Sequence, residues 1–263
     1  MTTKITTEQV KELRDATGIS VMQCRRALEE AGGNMEKALA ILKKTSSDIA
    51  LKKVNREVKD GAVMVKIEGK KAVLVPLHCE TDFVSRNEDF RDVLTKLTEK
   101  AIKDGIEKTK KEAKEMIDMI IQKTGENIQL GDIFEMKGDI LGGYVHNNKS
   151  AVIVSLEGGN AELAKDIAMH ITAMKPEFMK AEEITGELRK STTELFQKDV
   201  EGLNKPEEIK KKILEGKVQT YFKERTLLDQ AFIKNASENS SETVGKLLEK
   251  NKAKIKEVKR YSI

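Results

Sequence analysis

Three short helical stretches, each bounded by its own start and stop signals, account for the first fifty positions of the chain. Thr6-Thr7-Glu8-Gln9 has the form of a capping box, and so has Ser20-Val21-Met22-Gln23: a hydroxyl accepts from first-turn amides while the Gln side chain reaches back. The first helix should stop at Thr17-Gly18 and the second at Gly32-Gly33, where glycine supplies a left-handed terminus. Asn34 caps a third, whose Ala38, Leu39, Ile41 and Leu42 form one apolar face. So small a unit buries little, and residues 1–50 are read as an adhesive, partner-binding module. The charged stretch from Ser46 to Asp60 reads as a linker, with 51–60 as the part between domains.

After Gly61 the apolar period changes to two. Ala62–Ile67 and Lys71–Leu77 are rich in β-branched residues, and Glu68-Gly69-Lys70 between them predicts a hairpin turn. Asn87 should cap a helix carrying Phe90, Val93, Leu94, Leu97, Ala101 and Ile102, and a second helix follows from about Ile106 to Lys123. The pattern then recurs: strands at Ile140–His146 and Ala151–Leu156 around Asn147-Asn148-Lys149, then a helix from Asn160 to Met174. Hairpin followed by helix, twice, predicts an α+β fold with two related core subdomains, at 61–137 and 138–180. From Lys180 onward strands give way to helices at Thr185–Val200 and Pro206–Glu224, broken at Gly202-Leu203-Asn204-Lys205; Pro206 suits a first helical position. Residues 181–228 are therefore expected to form an antiparallel helical hairpin, and 229–263 a segment packing back on the core, with a helix near Val244–Lys250 and a basic strand at Ile255–Tyr261.

Composition narrows the class. Of 263 residues, 35% are charged and 38% hydrophobic, with no Trp, three Tyr and seven Phe, which suits a soluble folded protein. The formal charge of +4 is unevenly placed: from Lys246 to the end there are seven basic and two acidic residues, a net of +5, so the rest sums to −1. A general nucleic-acid binder should be basic throughout, so no specific nucleic-acid partner is expected. Two cysteines suit a reducing cytosol, no apolar run marks a secretory signal or a membrane span, and the expected location is cytoplasmic.

Candidate chemistry is sparse. His78-Cys79 lacks the gap of a zinc clamp, so no metal site is expected. A nucleophile dyad of Cys79 or Cys24 with His78, His146 or His170 lacks a converging acid and base, and Gly138–Gly143 lacks the Lys-Ser/Thr of a phosphate loop. The chain is read as no enzyme and as needing no cofactor. The lysines of Lys108–Lys114 alternate with glutamates as on a solvated helix face. One segment stands apart: Thr81-Asp82-Phe83-Val84-Ser85-Arg86 joins the second strand to the next helix, where Phe83 either folds back on the core or is presented outward.

Cys79-Glu80-Thr81-Asp82-Phe83-Val84 resembles the Thr-Asp-Phe-Val signature of elongation factor Ts, the nucleotide-exchange factor for elongation factor Tu. The likeness continues in Val10–Arg14 with Thr17-Gly18, Met22, Cys24, Ala27 and Leu28; in Gly125–Ile128 and Gly138–Gly142 with Tyr144 and His146; in Ile167–Ile171 with Lys175–Phe178; and in Thr243–Leu248. It implies a factor that binds elongation factor Tu with GDP and promotes GDP release by displacing Mg²⁺, so that GTP can rebind. In the family an Asp-Phe pair is pushed toward the Mg²⁺ end of the pocket; here that pair is Asp82 and Phe83, flanked by Thr81 and Val84. The resemblance likewise assigns Val21, Met22 and Arg25, Thr124, Gly125 and His146, and Phe232 and Ile233 to the partner contact. Glu80 stands where many relatives have Gln, and Lys234 where the late contact is apolar. The sequence stops at Ile263, which implies a form with a shortened carboxy terminus. A homodimer through the hairpin or the core remains open, and the rival reading is an RNA- or ribosome-associated protein using the basic tail.

Overall fold

The computed structural model describes residues 5–234 and 242–263. The fold is α+β, with ten α-helices and two small antiparallel sheets among the described residues. The chain divides into two compact units, one comprising Met1–Lys137, Val145–Ala151 and Tyr261–Ile263, the other Gly138–Tyr144 and Val152–Arg260.

In the first unit, α1 (Thr7–Thr17), α2 (Val21–Glu30) and α3 (Met35–Lys53) close around Leu13, Ile19, Cys24, Leu28 and Ala38. The box at Thr6 is complete, its Oγ1 accepting from Gln9 N at 3.2 Å and Gln9 Oε1 accepting from Thr6 N at 3.1 Å. The one at Ser20 is half made: Ser20 Oγ accepts from Gln23 N at 3.4 Å but donates to Gln23 Oε1 at 3.0 Å, so that side chain does not reach back to the cap amide. The linker expected from Ser46 is also shorter than the charge pattern suggests, because α3 runs on to Lys53. Ser46 and Ala50 follow Leu42 at four-residue spacing on its buried face; Ser46 Oγ donates to the Leu42 carbonyl at 2.9 Å, and Ser47 Oγ donates to Asp118 at 2.6 Å. Serines that satisfy themselves this way carry a buried helix face without an apolar signal.

Strand β2 (Lys71–Cys79) is central in the first sheet, with β1 (Asp60–Glu68) on one edge and both β3 (Ile128–Leu130) and β4 (Phe134–Lys137) on the other. The hairpin is legible in the pattern; β3 and β4, at three and four residues, are too short to show a period. Between them in sequence, α4 (Asp82–Arg86), α5 (Glu88–Asp104) and α6 (Ile106–Thr124) follow, and Phe90, Leu94 and Leu97 of α5 pack with Val73, Val75 and Leu77.

In the second sheet the order is β5 (Ile140–His146), β6 (Ser150–Glu157), β7 (Lys254–Ser262). Asn147 and Asn148 make the β5–β6 turn with φ of 49° and 57°, the left-handed pair that suits a two-residue hairpin. Helix α7 (Ala161–Met174) and α10 (Val244–Lys250) contribute Ile167, Ile171, Val244 and Leu248 to one core with Val152 and Val154. Helices α8 (Gly186–Glu201) and α9 (Glu207–Lys223) form a hairpin with its own cluster of Ile184, Val218, Phe222 and Phe196. Pro206 stands at the cap of α9 and Glu207 takes the first helical position, one residue later than expected.

Close approach explains one glycine. A Cβ on Gly142 of β5 would lie 2.2 Å from the Ala164 carbonyl carbon and the Lys165 nitrogen, so the α7 backbone lies against the strand. Gly142→Ala is expected to lower unfolding free energy by about 3 kcal/mol, the upper range for overpacking, read from urea denaturation. A variant as stable as its parent would show that α7 yields there without strain.

Candidate functional site

Strand β2 ends at Cys79, paired with Asp60 on one side and Ile128 on the other. Glu80 and Thr81 then lead the chain into α4, a five-residue helix that the sequence pattern does not reveal. Five residues are far too few to be helical alone, so packing must impose the turn. Val84 and Ser85 are buried, Val84 within the core of sheet and helices. Ser85 Oγ accepts from Lys149 Nζ at 3.2 Å, and the same ammonium lies 2.5 Å from Asp60 Oδ1 and 2.6 Å from the Gly61 carbonyl. With residues 84 and 85 facing in, the 3.6-residue turn sends Phe83 outward. Its side chain is 84% exposed, more than any other large apolar residue described. Asp82 pairs with Arg86 at 3.0 Å on the same outer surface, a solvated pair worth little to stability.

A second set of contacts fixes the entrance to α4. Glu126 Oε2 accepts from the backbone amides of Glu80 at 3.1 Å and Thr81 at 3.0 Å, and its Oε1 accepts from Thr81 Oγ1 at 2.6 Å. In return Glu80 Oε1 accepts from Asn127 N at 2.6 Å, and Asn127 Nδ2 donates to the carbonyls of Arg56 at 2.7 Å and Val54 at 3.3 Å. The acidic surroundings act on Cys79: burial, then the Asp60 and Glu126 carboxylates, pushes its thiol up to about 12. It is protonated at neutral pH and donates to the Thr81 carbonyl at 3.1 Å, which removes it as a nucleophile. Partial burial works to raise Asp60, but hydrogen bonds from Lys149, Ser85 and Gly61 outweigh it and hold the carboxyl below its usual range.

Thr124 and Gly125 belong to the same corner. Gly125 ends α6 with φ 78°, its carbonyl accepting from Lys53 Nζ, and Thr124 Oγ1 donates to the Ile120 carbonyl at 2.8 Å. Glu126 is the next residue, so these two positions are joined to the Thr81–Val84 turn through its carboxylate. Val21 and Met22 open α2 with 49% and 67% exposure, and Arg25, also exposed, pairs with Glu29 at 2.9 Å. His146 is exposed at the end of β5, its Nε2 lying 3.3 Å from Asn147 Nδ2. Phe232 and Ile233 belong to the second unit. Phe232 is buried with its ring 5.8 Å from that of His170, while Ile233 N donates to His170 Nδ1 at 3.2 Å. Lys234, unexpected at an apolar position, pairs with Asp166 at 2.6 Å.

The sequence places Glu126 and Asn127 in the family likeness and Lys149 in a turn, and marks none of them as a site residue. For Glu126 a signal does exist: a carboxylate just past a helix C-terminus opposes the macrodipole, which favours cations there. Nothing comparable marks Lys149, whose partners lie 89 and 64 residues away.

A family model described as Elongation factor TS matches residues 80–263. A protein of Hahella chejuensis named Elongation factor Ts is 38% identical over 266 residues, spanning 98% of this chain and 92% of the relative. Those of Pseudomonas syringae pv. tomato and a Pseudomonas fluorescens strain, of the same name, are 37% and 36% identical, covering 88% and 99% of this chain and 83% and 91% of their own lengths.

Buried His170 and half-buried His78 generate a pH prediction. Burial lowers His170, opposed by its bond to Gln230, and lowers His78, opposed by a backbone hydrogen bond of Asp60, from the ordinary 6.5. The folded form then binds fewer protons than the unfolded chain below that value, so stability is full above about pH 6.5 and falls as pH drops. Urea unfolding at pH 7.5 and 5.5 should show the loss, and His170→Gln should lessen it. Equal stability at the two pH values would contradict the lowering of both histidines.

Proposed function

The chain belongs to the elongation factor Ts family, and on that premise we propose that it binds elongation factor Tu carrying GDP and speeds GDP release by displacing Mg²⁺, so that GTP can bind in its place. The observation that carries this reading is Phe83, an aromatic ring held in water on a turn whose next two residues are buried. A GTPase holds GDP through its phosphate loop and a Mg²⁺ that neutralises phosphate charge. Phe83 wedges between side chains at the Mg²⁺ end of that pocket, and Asp82 brings a carboxylate beside it. Thr81 and Val84 flank the pair, one tied to Glu126 and the other to the core. No chemical bond is made or broken by the factor, so it acts as an exchange factor and not as an enzyme.

The remaining contacts are those that membership of the family implies. Val21 and Met22 offer an apolar pair with Arg25 beside it, a composition suited to an interface centre. Thr124, Gly125 and His146 face the partner around the wedge. Ile233 supplies a second, separate contact, with buried Phe232 behind it fixing its position.

Phe83→Ala is expected to slow GDP release about tenfold or more, since interface anchors commonly cost 2 kcal/mol or more and each 1.4 kcal/mol is tenfold. The free protein should melt within a degree or so of its parent, because surface truncations stay within about 0.5 kcal/mol. Normal exchange by this variant would remove Phe83 from the site. Linkage sets a second expectation: if the factor weakens GDP, GDP must weaken the factor by the same ratio. Excess GDP titrated into the purified complex should dissociate it; an affinity indifferent to nucleotide would sink the exchange reading.

A further inference from the structure

The α-helices of this chain that open on Ser, Thr or Asn share one habit. Thr6, Ser20, Asn34, Asn87, Asn160, Thr185 and Thr243 each turn a side-chain oxygen onto a first-turn amide of the helix they open. Thr81 stands at the same position before α4 and makes no such bond. Its hydroxyl donates instead to Glu126 at 2.6 Å, and the same carboxylate takes the amides of Thr81 and Glu80. The shortest α-helix described therefore lacks the cap that the other helices opened by Ser, Thr or Asn have, and the group that would supply it is turned toward a loop 45 residues away.

We propose that Glu126 is a positioning residue for nucleotide exchange: by clamping Glu80 and Thr81 it sets the pose in which Asp82 and Phe83 meet the GTPase. The proposal rests on the exchange reading given above. Three further observations support it. Glu126 sits immediately after the C-terminus of α6, where a carboxylate is electrostatically unfavourable, so its placement there needs a compensating use. The clamp is reciprocal, because Glu80 Oε1 holds Asn127 N at 2.6 Å while Glu126 holds Glu80 N, so neither loop turns without the other. And α4 is anchored on its far side by Val84 in the core and by Lys149 on Ser85, so that the bonds from Glu126 to Glu80 and Thr81 hold its other end. Fixing both ends removes the rotation that would let the Phe83 ring swing back toward the apolar surface beneath it. The clamp therefore acts on the orientation of the wedge, and its loss should be felt in the step where the wedge is driven in, more than in the affinity of first docking through α2.

The test uses Glu126→Ala, which removes all three acceptor contacts, and Glu126→Gln, which keeps the side-chain size and one acceptor oxygen. GDP release from elongation factor Tu loaded with fluorescent GDP is followed over a range of factor concentrations, beside thermal melting and amide hydrogen exchange of the free factor. The maximal release rate should fall about tenfold for Glu126→Ala, equivalent to 1.4 kcal/mol of transition-state stabilisation, and by less for Glu126→Gln. The half-saturating concentration should stay within about threefold of the parent, about 0.65 kcal/mol on the same scale. The amides of Glu80 to Phe83 should exchange faster in both variants. Should Glu126→Ala not fold, the Gln variant decides alone. A normal maximal rate in folded protein overturns the proposal, as does a rate loss that follows only the fraction folded, or one confined to half-saturation. The parent protein and Phe83→Ala run in parallel separate the two levels: a parent that does not speed GDP release defeats the exchange reading itself, a Phe83→Ala that exchanges normally removes the wedge and the clamp with it, and a slow Phe83→Ala beside a normal Glu126→Gln rejects only the clamp.

Discussion

A phenylalanine ring kept in water forgoes roughly 1.5–3 kcal/mol that burial would return, and this deficit pulls on α4 as long as Phe83 stays exposed. The turn resists because its buried positions are already taken. Val84 fills the apolar site beneath it, Ser85 is bonded to Lys149, and Thr81 is bonded to Glu126. These partners come from separate stretches: the β5–β6 turn, the loop after α6, and, through Asn127, the end of α3. A five-residue helix has no stability of its own to offer. Its geometry is a property of the elements around it, which is what the proposed wedge requires of an exposed ring.

The same corner is crowded with carboxylates. Asp60, Glu80 and Glu126 lie around Cys79, and the compensation is local: Lys149 on Asp60 at 2.5 Å, Arg56 near Glu80 at 3.5 Å, and backbone amides on Glu126. Hydrogen bonds to backbone amides stabilise a carboxylate without bringing in a second mobile side chain. The consequence for Cys79 is a thiol that stays protonated, inert as a nucleophile and slow to oxidise. A residue next to the signature turn is thereby kept out of chemistry and used for packing.

The second unit manages polarity differently. His170 accepts from Ile233 N on Nδ1 and lies 2.9 Å from Gln230 Oε1 on Nε2, so its proton sits on Nε2 and the ring is neutral. One buried imidazole thus orients the backbone at Ile233 while its ring packs against Phe232. The two proposed contacts differ accordingly: Phe83 is an exposed ring on a braced turn, whereas Phe232 is a buried ring beside a half-buried neighbour.

Much of this was legible in the sequence where the signal is local. Caps at Thr6, Asn34 and Asn87, the hairpin turn at Gly69, and the apolar faces of α5 and α7 follow from neighbours within a few positions, and the structure keeps them. The Thr-Asp-Phe-Val string points to the family by its residues alone. What sequence could not decide is whatever depends on distant partners. The run of α3 through Ser46, the short strands β3 and β4, and α4 itself carry too few apolar residues to show a period. Composition left Phe83 open between core and surface, because the choice depends on whether Val84 and Ser85 find partners first. Those partners, Lys149 and the sheet, and the clamp from Glu126, are 45 or more residues away along the chain for every hydrogen bond involved. Local spacing determines which residues can form a helix or strand; only the packed chain determines which of them is left with nowhere to go but outward.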